Sequence, residues 1–469
     1  MEGELIVSSN RHILFNAFDM NCVGHQSPGL WRHPQDKSRD YNKLSYWIDL
    51  AKTLEKGLFD GLFIADVLGP YDVYGGNANA ALTSGAQVPV NDPFLLVSAM
   101  AAVTEHLGFG VTAGTAYEHP FPFARRLATL DHLTNGRVGW NVVTGYLPSA
   151  ARNMGNDDQM EHDRRYDHAD EYLEVIYKLL EGSWEDDAVQ NNPETGVFTD
   201  PAKVHNIDHD GQFFRVPGAA VTEPSAQRTP VIYQAGASTR GRAFAAKHAE
   251  ATFVNSPTPA LLAKSVADTR DELVKAGRDP YDIRIFGMQT IVTAATDAEA
   301  QEKYRQLASY ADIEGALVLM SGWMGTDFSQ YDLDAPIGHI ESNAIQSAAE
   351  TFRKASGDGE EWTVRKLAEW VGVGGFGPVL VGSGATVAEQ LIALQDETDI
   401  DGFNLAYHIT PGTFEDVVEY VVPELQARGR YKTEYSQGTL RHKLFGRGDQ
   451  LPDNHVGASY KLGATALVQ

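Results

Sequence analysis

Two strand-like segments of the sequence end in polar side chains that could do chemistry. Residues 59–67 are almost wholly apolar and deliver the carboxylate of Asp66 at their end. Residues 139–146 deliver Asn141 and Thr144 in the same way. A carboxylate at such a position acts as a general base, a metal ligand or a structural cap. Asn141 fits either a ligand contact or a structural amide whose hydrogen bonds are satisfied within the protein.

Two predicted helix starts carry groups suited to a phosphate. His162 and Tyr166 are four residues apart near the start of a long helix and share one of its faces. Ser238 stands in the N-cap zone of the helix that follows residues 231–236. Backbone N–H groups at a helix start bind anions, although an ordinary N-cap without ligand also fits Ser238. Together the two starts supply hydroxyl, imidazole and guanidinium groups for one phosphate.

The elements that must position these side chains alternate between short β-rich runs and longer helical patterns, which is typical of parallel βα units. The predicted strands are 12–20, 61–67, 108–116, 137–144, 231–236, 251–256, 283–292 and 402–408. The predicted helices between them are 41–56, 92–106, 123–133, 164–180, 238–248, 258–276, 297–311 and 413–428. Eight such units predict an α/β fold, a (β/α)8 TIM barrel, whose carboxyl strand ends hold the active site.

Long insertions interrupt this pattern at 68–91, 184–229 and 295–384. Segments of that length are functional lids or small elements of their own, and further helices are predicted at 340–354, 361–371 and 385–397. We expect residues 1–429 to form one barrel domain and residues 430–469 to form a C-terminal extension. The extension either crosses a neighbouring subunit or wraps its own barrel.

The charge, the apolar runs and the cysteine count of the sequence exclude several classes of binding partner and site. The sequence has 38 Lys and Arg against 63 Asp and Glu, a net charge of -25, which disfavours nucleic acid and anionic membranes. No apolar run is long enough for a membrane span, and the N-terminus lacks a secretory signal pattern, so we expect a cytoplasmic protein. The single cysteine, Cys22, excludes an intramolecular disulfide and thiolate metal clusters.

Two further motifs are weak evidence for a binding site. Residues 372–377 match G-x-G-x-x-G, but they follow a helical segment rather than a strand, which disfavours dinucleotide binding. His205, His209 and Asp210 lack the spacing of a helical metal site, and a solvated loop explains them better. We therefore predict no metal site.

Several longer motifs resemble the bacterial luciferase-like flavin monooxygenases, in the subgroup of the nitrilotriacetate and dibenzothiophene sulfone monooxygenases. The matching motifs are Trp31-Arg32-His33, Leu62-Phe63-Ile64-Ala65-Asp66, Met100 to Gly108, Ala128 to Asp131, Gly136 to Thr144, His162 with Arg165-Tyr166, Gly196-Val197-Phe198 and Gln234-Ala235-Gly236. The resemblance spans residues 12–445. It implies that reduced FMN, supplied by a separate NAD(P)H:flavin reductase, reacts with O2 to oxidise a small organic substrate. It also implies a homodimer or homotetramer.

The resemblance also assigns roles to individual residues. The residues that it implies in FMN binding are Asp66, Thr112, Asn141, His162, Arg165, Tyr166 and Ser238. Positions in the loops after the first two strands give three substrate-side candidates for catalysis, namely His25, Tyr71 and Gln87. A buried histidine or tyrosine satisfied by a backbone partner is as common as a catalytic one.

The sequence leaves four function hypotheses. The first is oxidation of a small substrate, and residues 16–20, 25–27 and 31–34 resemble members of the subgroup that act on an organosulfur compound. The second keeps the flavin chemistry but cleaves a larger heteroaromatic such as riboflavin, which needs a wider pocket behind 68–91 and 295–384. The third is a non-catalytic flavin-binding protein, which Asp66, Asn141 and His162 argue against. A metal-dependent hydrolase ranks last because the strand ends lack a set of histidines and carboxylates.

Overall fold

Parallel strand pairing runs unbroken around a closed barrel in the computed structural model, which describes residues 11–236, 238–336 and 362–462. The barrel strands, in chain order, are β1 Leu14–Met20, β2 Gly61–Ala65, β3 Gly108–Gly114, β4 Val138–Val143, β5 Val231–Gln234, β6 Ala251–Val254, β7 Arg284–Ala294 and β8 Gly402–Ala406. Strand β8 pairs with β1, which closes the ring. The predicted (β/α)8 barrel is confirmed, and each barrel strand lies at one of the eight predicted positions.

Helices surround the barrel and fill the long connections. They are α1 Leu44–Lys56, α2 Asn79–Ser84, α3 Phe94–Ala101, α4 Pro120–Leu133, α5 Pro148–Asn153, α6 His162–Leu180, α7 Thr239–His248, α8 Pro259–Lys275, α9 Asp297–Ala308, α10 Ile313–Met324, α11 Val364–Val371, α12 Gly384–Thr398, α13 Gly412–Asp416, α14 Val422–Ala427 and α15 Leu440–Phe445. Trp47 of α1 and Trp140 of β4 are fully buried in the layer between the barrel and its helices.

Two predicted helices differ from the observed ones for local reasons. The helix predicted at 92–106 ends at Ala101, because the amides of Glu105 and His106 donate to the carboxylate of Glu55 instead of continuing the helix. The helix predicted at 413–428 is divided by a π-helical turn, Val417–Val421, just before Pro423. Proline has no N–H to donate within a helix, which favours such a break. The helix predicted at 340–354 lies outside the described residues.

The insertions add small elements to the barrel. A strand at Val379–Ser383 pairs with Thr290 to Ala294, the outer half of the eleven-residue strand β7. Two short hairpins, Val189–Asn192 with Val197–Thr199 and His209–Asp210 with Arg215–Val216, occupy the second insertion. His209 is buried beside Lys178 and Glu171, so the expectation that it lies in a solvated loop was wrong.

Aromatic rings fill the barrel interior below its carboxyl end. Phe63, Tyr233 and Phe286 belong to one buried cluster there, and the partly buried Phe253 packs against it. Strand β4 contributes a glycine instead of a side chain, and a Cβ on Gly139 would lie 2.4 Å from the ring of Tyr233. The glycine therefore makes room for a tyrosine that closes the floor of the barrel mouth.

The amino end of the barrel is closed by the C-terminal segment. Leu440 and Leu444 of α15 join the interior aromatic cluster. Arg441, next to them, makes two bonds to the carboxylate of Glu250, at 2.6 and 2.8 Å, with both side chains almost fully buried. This segment thus packs on the barrel of its own chain as far as residue 462. Across the described residues, no helix combines the length and apolar character needed to cross a membrane.

Candidate functional site

A cavity of about 320 Å³ opens at the carboxyl ends of the barrel strands. This central cavity has the aromatic cluster as its floor, with Phe63 and Phe253 among its lining residues. Six of the ten predicted site residues line it, namely His25, Asp66, Tyr71, Gln87, Thr112 and Asn141. Loops after β1 and β2 supply His25, Tyr71 and Gln87, while strand ends supply the other three. The structure therefore brings the substrate-side and ring-side candidates into one chamber.

Tyr71 lies at the centre of a hydrogen-bond network beside this cavity. Its hydroxyl donates to Oε1 of Gln87 at 2.9 Å and lies 2.5 Å from the hydroxyl of Tyr146. The indole Nε1–H of Trp323 donates to the same oxygen at 3.1 Å. Nε2 of Gln87 donates to the carbonyl oxygen of His25 at 2.9 Å. These bonds join the loops after β1, β2 and β4 to helix α10.

Gln87 is held in a strained backbone conformation. Its φ of 53° lies in the left-handed region, which non-glycine residues rarely adopt. Its amide N–H donates to the carbonyl oxygen of Gly24 at 2.8 Å, and both ends of its side chain are bonded. Strain of this kind is retained where the surroundings fix it, which is common at functional sites.

His25 is buried against the cavity wall. Burial lowers the pKa of His25 to about 3, so its imidazole is neutral at neutral pH. Its Nε2 lies 3.2 Å from Nε2 of Gln26, and its ring packs edge-on against Phe18 at 4.4 Å between centroids. A neutral imidazole can accept or donate one hydrogen bond, but it brings no positive charge to the chamber.

Asp66 stands where the central cavity meets two others, of about 620 and about 90 Å³. Burial raises the pKa of Asp66 to about 7, and the nearby carboxylate of Asp92 adds to this shift. At neutral pH the carboxyl group is therefore divided between its protonated and ionised forms. It can donate or accept a hydrogen bond toward a ring system beside it.

Two amide side chains face the central cavity with unsatisfied polar atoms. Nδ2 of Asn141 donates to Oγ1 of Thr112 at 2.9 Å, while Oδ1 of Asn141 is buried and has no hydrogen-bond partner. Oδ1 of Asn404, on β8, is in the same situation. Leaving a buried polar atom unpaired costs about 1–3 kcal/mol. Both atoms are therefore suited to a polar ligand that supplies the missing bonds.

The remaining predicted residues gather at the start of α7. Ser238 caps this helix by accepting from the amide of Gly241 at 3.0 Å. A Cβ on Gly241 would lie 2.7 Å from the hydroxyl of Tyr166 and 3.1 Å from Oγ of Ser238, so both hydroxyls converge on this helix start. Backbone N–H groups and two hydroxyls form a cradle for an anion.

Arg165 and His162 lie on α6 near this cradle. Nε of Arg165 is buried without a hydrogen-bond partner, and its charge lies close enough to Tyr117 to offset part of the rise that burial causes in the pKa of that tyrosine. His162 is exposed, and its Nδ1 lies 2.7 Å from the carboxylate of Asp163. Of the two, Arg165 has the free hydrogen-bonding capacity, whereas His162 already has an acidic partner.

Several cavity residues were not predicted. Asn404 could have been found by the argument used for Asn141, because it is an amide within an apolar strand. Tyr146 follows the Asn141 strand directly, but a tyrosine there gave no distinct signal. Trp323 and Phe376 come from the third insertion, and no pattern in the sequence placed them at the barrel mouth.

FMN fits these residues on structural grounds. The unsatisfied amide atoms of Asn141 and Asn404 match a polar ring system in an aromatic chamber. The helix start with Ser238 and Tyr166, and the unpaired Nε of Arg165, match a phosphate. Ala235 lines the central cavity at the end of β5, only three residues before Ser238, so the chamber and the cradle adjoin.

Comparison with known proteins identifies similar monooxygenases. The family model described as luciferase-like monooxygenase matches residues 20–399. The chain is 51% identical over 452 residues to dimethyl-sulfide monooxygenase from Hyphomicrobium sulfonivorans, covering 96% of this chain and 94% of that protein. It is 49% identical over 452 residues to long-chain alkane monooxygenase from Geobacillus thermodenitrificans, covering 96% and 98%.

Two solved structures of enzymes are similar to this chain over almost its whole length. The crystal structure of DmoA from Hyphomicrobium sulfonivorans has a TM-score of 0.93 at 50% identity, covering 97% of this chain and 96% of that one. The crystal structure of riboflavin lyase, with modified FMN and the substrate riboflavin, has a TM-score of 0.87 at 36% identity, covering 96% and 100%.

Proposed function

Since the chain belongs to the luciferase-like monooxygenase family, we propose that it uses reduced FMN and O2 to oxidise a small organosulfur compound such as dimethyl sulfide. Family membership confirms the resemblance read from the motifs, and with it the assignment as a monooxygenase. The observation that carries the cofactor proposal is the pair of unsatisfied amide atoms, on Asn141 and Asn404, in a cavity that aromatic side chains, among them Phe18, Phe63, Tyr71, Phe253 and Trp323, help to line.

The proposed cofactor site has two parts. Asp66, Thr112 and Asn141 would hold the ring system, and Ser238, Tyr166 and Arg165 would hold the phosphate, with His162 at its rim. When bound, reduced FMN supplies the electrons that activate O2 for insertion of one oxygen atom into the substrate. The structure of riboflavin lyase with modified FMN supports a flavin in this fold.

The protein's own side chains would shape the chamber around that chemistry. Phe18, Phe63 and Phe253 exclude water from it. His25, neutral at neutral pH, offers a hydrogen bond without a charge. His25, Tyr71 and Gln87 are the proposed substrate-side residues, and their network fixes the wall on which a substrate would rest.

The size of the central cavity supports a small substrate. At about 320 Å³ it is near the lower end of the ~300–1,000 Å³ usual for ligand pockets. Its lining combines aromatic rings with Met20 and Met288, which suits an uncharged, polarisable molecule. Oxidation of a long-chain alkane is the second candidate, because the alkane monooxygenase is almost as similar to this chain. Riboflavin cleavage would need a much larger space on the substrate side.

The proposal includes two partners. A separate NAD(P)H:flavin reductase would supply reduced FMN, and copies of the chain would form a homodimer or homotetramer. Light scattering of the purified protein tests the second point, and a monomeric mass would contradict it.

Turnover of four candidate substrates in separate incubations tests the proposed function. Purified protein, FMN, a flavin reductase, NADH and O2 are incubated separately with dimethyl sulfide, hexadecane, dibenzothiophene sulfone and riboflavin, and substrate loss is followed by chromatography. We expect loss of dimethyl sulfide that requires both the protein and O2. Turnover of hexadecane or riboflavin alone would refute the organosulfur substrate, and turnover without flavin would refute the cofactor.

A further inference from the structure

Some groups in the Tyr71 network can only donate a hydrogen bond and others can only accept one. These groups determine which atom is the donor in each bond of the network. The Gln87 amide is oriented by the carbonyl oxygen of His25, which accepts from Nε2 at 2.9 Å. Oε1 of Gln87 therefore faces Tyr71, and it is an acceptor only. The single hydroxyl proton of Tyr71 is thus committed to Gln87.

This commitment determines the direction of the bond between the two tyrosines. The hydroxyl of Tyr71 has no second proton, so the 2.5 Å bond must be donated by Tyr146. The other acceptor position of the Tyr71 oxygen takes the indole N–H of Trp323. One donated and two accepted bonds exhaust the capacity of the Tyr71 hydroxyl. Tyr71 therefore has nothing left to offer a bound molecule.

The hydroxyl of Tyr146 differs from that of Tyr71. Its proton points at Tyr71, and its oxygen also accepts from the indole of Trp323, which leaves one acceptor position and no donor. Tyr146 lines both the central cavity and the neighbouring cavity of about 90 Å³. Gly145, with a φ of 75°, turns the chain just before this residue after β4. A group that bonds to Tyr146 from the cavity must therefore carry a hydrogen-bond donor.

We infer that Tyr146 selects the reduced over the oxidised isoalloxazine by accepting a hydrogen bond from a ring N–H, and that Tyr71 is the positioning residue that keeps Tyr146 an acceptor. The inference rests on the proposed use of FMN. Reduction adds a proton to the central-ring nitrogen, which is an N–H donor in the reduced ring and a lone-pair acceptor in the oxidised ring. An acceptor in the wall thus discriminates between the two forms without any change in shape.

Anaerobic titrations with FMN and with dithionite-reduced FMN test this inference. We expect the wild type to bind reduced FMN more tightly. Tyr146→Phe should weaken binding of reduced FMN by about fivefold to tenfold, as for loss of one hydrogen bond, and leave oxidised FMN within about twofold. Tyr71→Phe should free the Tyr146 proton to turn toward the cavity, so binding of oxidised FMN strengthens and the preference shrinks.

Trp323→Phe provides a matched comparison in the same network. It removes the indole donor that both tyrosine hydroxyls share without reversing any proton, so the ratio of the two dissociation constants should stay within about twofold of wild type. Equal weakening of both flavin forms by Tyr146→Phe, or no weakening, would overturn the inference. Failure of the wild type to bind either form would instead overturn the proposed cofactor.

Discussion

Asp66 lines the proposed active site and also lowers the stability of the folded protein at higher pH. Its carboxyl group lies where the cavities meet, and burial together with Asp92 raises its pKa to about 7 from 3.8. The folded protein therefore holds a proton on Asp66 between about pH 4 and pH 7 that the unfolded chain releases. Through proton linkage, this group makes the fold less stable as pH rises across that window.

Removing the ionisable group should remove that dependence. For Asp66→Asn we expect a gain in unfolding free energy over wild type that is small at pH 4 and grows to at most about 4 kcal/mol above pH 7. Urea unfolding at pH 4.5, 6 and 8 measures the difference. Asp453→Asn, at an exposed aspartate, is the matched control. A difference that does not change with pH would show that the carboxyl group is not perturbed in this way.

At the scale of elements, the start of α7 has two roles in the proposed site, because it begins a helix and would also bind the phosphate of FMN. Ser238 and Thr258 are N-caps of successive helices, and each accepts from a backbone amide three residues later. Loss of either cap should cost about 1 kcal/mol of stability. Ser238→Ala alone should also weaken binding of reduced FMN, by about tenfold, because its hydroxyl lies in the proposed phosphate cradle.

Equilibrium binding to Ser238→Ala and Thr258→Ala separates these two effects. A second pair, Arg165→Ala and Arg164→Ala, compares a half-buried guanidinium with an exposed neighbour on α6. We expect Arg165→Ala to weaken binding of reduced FMN and Arg164→Ala to leave it near wild type. Equal affinities within both pairs would contradict the phosphate assignment.

The strands could be predicted from the sequence more completely than the helices. Barrel strands were found because each is a short apolar run between turn signals, and Asp66 and Asn141 followed from their strand ends, whereas Thr112 was named only through the family resemblance. Helix α10 was missed because residues 315–322 are buried on every side, which leaves no amphipathic stripe to recognise. Trp323 belongs to that helix, so a part of the cavity wall was missed with it.

At the scale of the whole molecule, the barrel is closed at one end by its own C-terminal segment and open at the other. The Arg441 to Glu250 pair fastens that closure, and both charges are almost fully buried. Removal of one partner leaves the other charge buried and unpaired, which costs about 3–5 kcal/mol. We expect Arg441→Met and Glu250→Gln each to lower the unfolding free energy by this amount.

Urea unfolding also tests the coupling between the two charges. The double variant Arg441→Met with Glu250→Gln should lose less than the sum of the single losses, because no unpaired charge remains. Lys264→Met, which removes an exposed ion pair with Asp268, should cost less than about 1 kcal/mol. Additive losses in the double variant would contradict a direct buried pair.

In the proposed reaction, reduced FMN and O2 act together on a small organosulfur substrate in the central cavity. A single-turnover experiment tests this most directly. Protein is loaded anaerobically with one equivalent of reduced FMN, mixed with dimethyl sulfide and oxygenated buffer, and the remaining dimethyl sulfide is measured by gas chromatography. We predict loss of close to one dimethyl sulfide per FMN oxidised. Oxidation of all the flavin with no loss of dimethyl sulfide would contradict the claim.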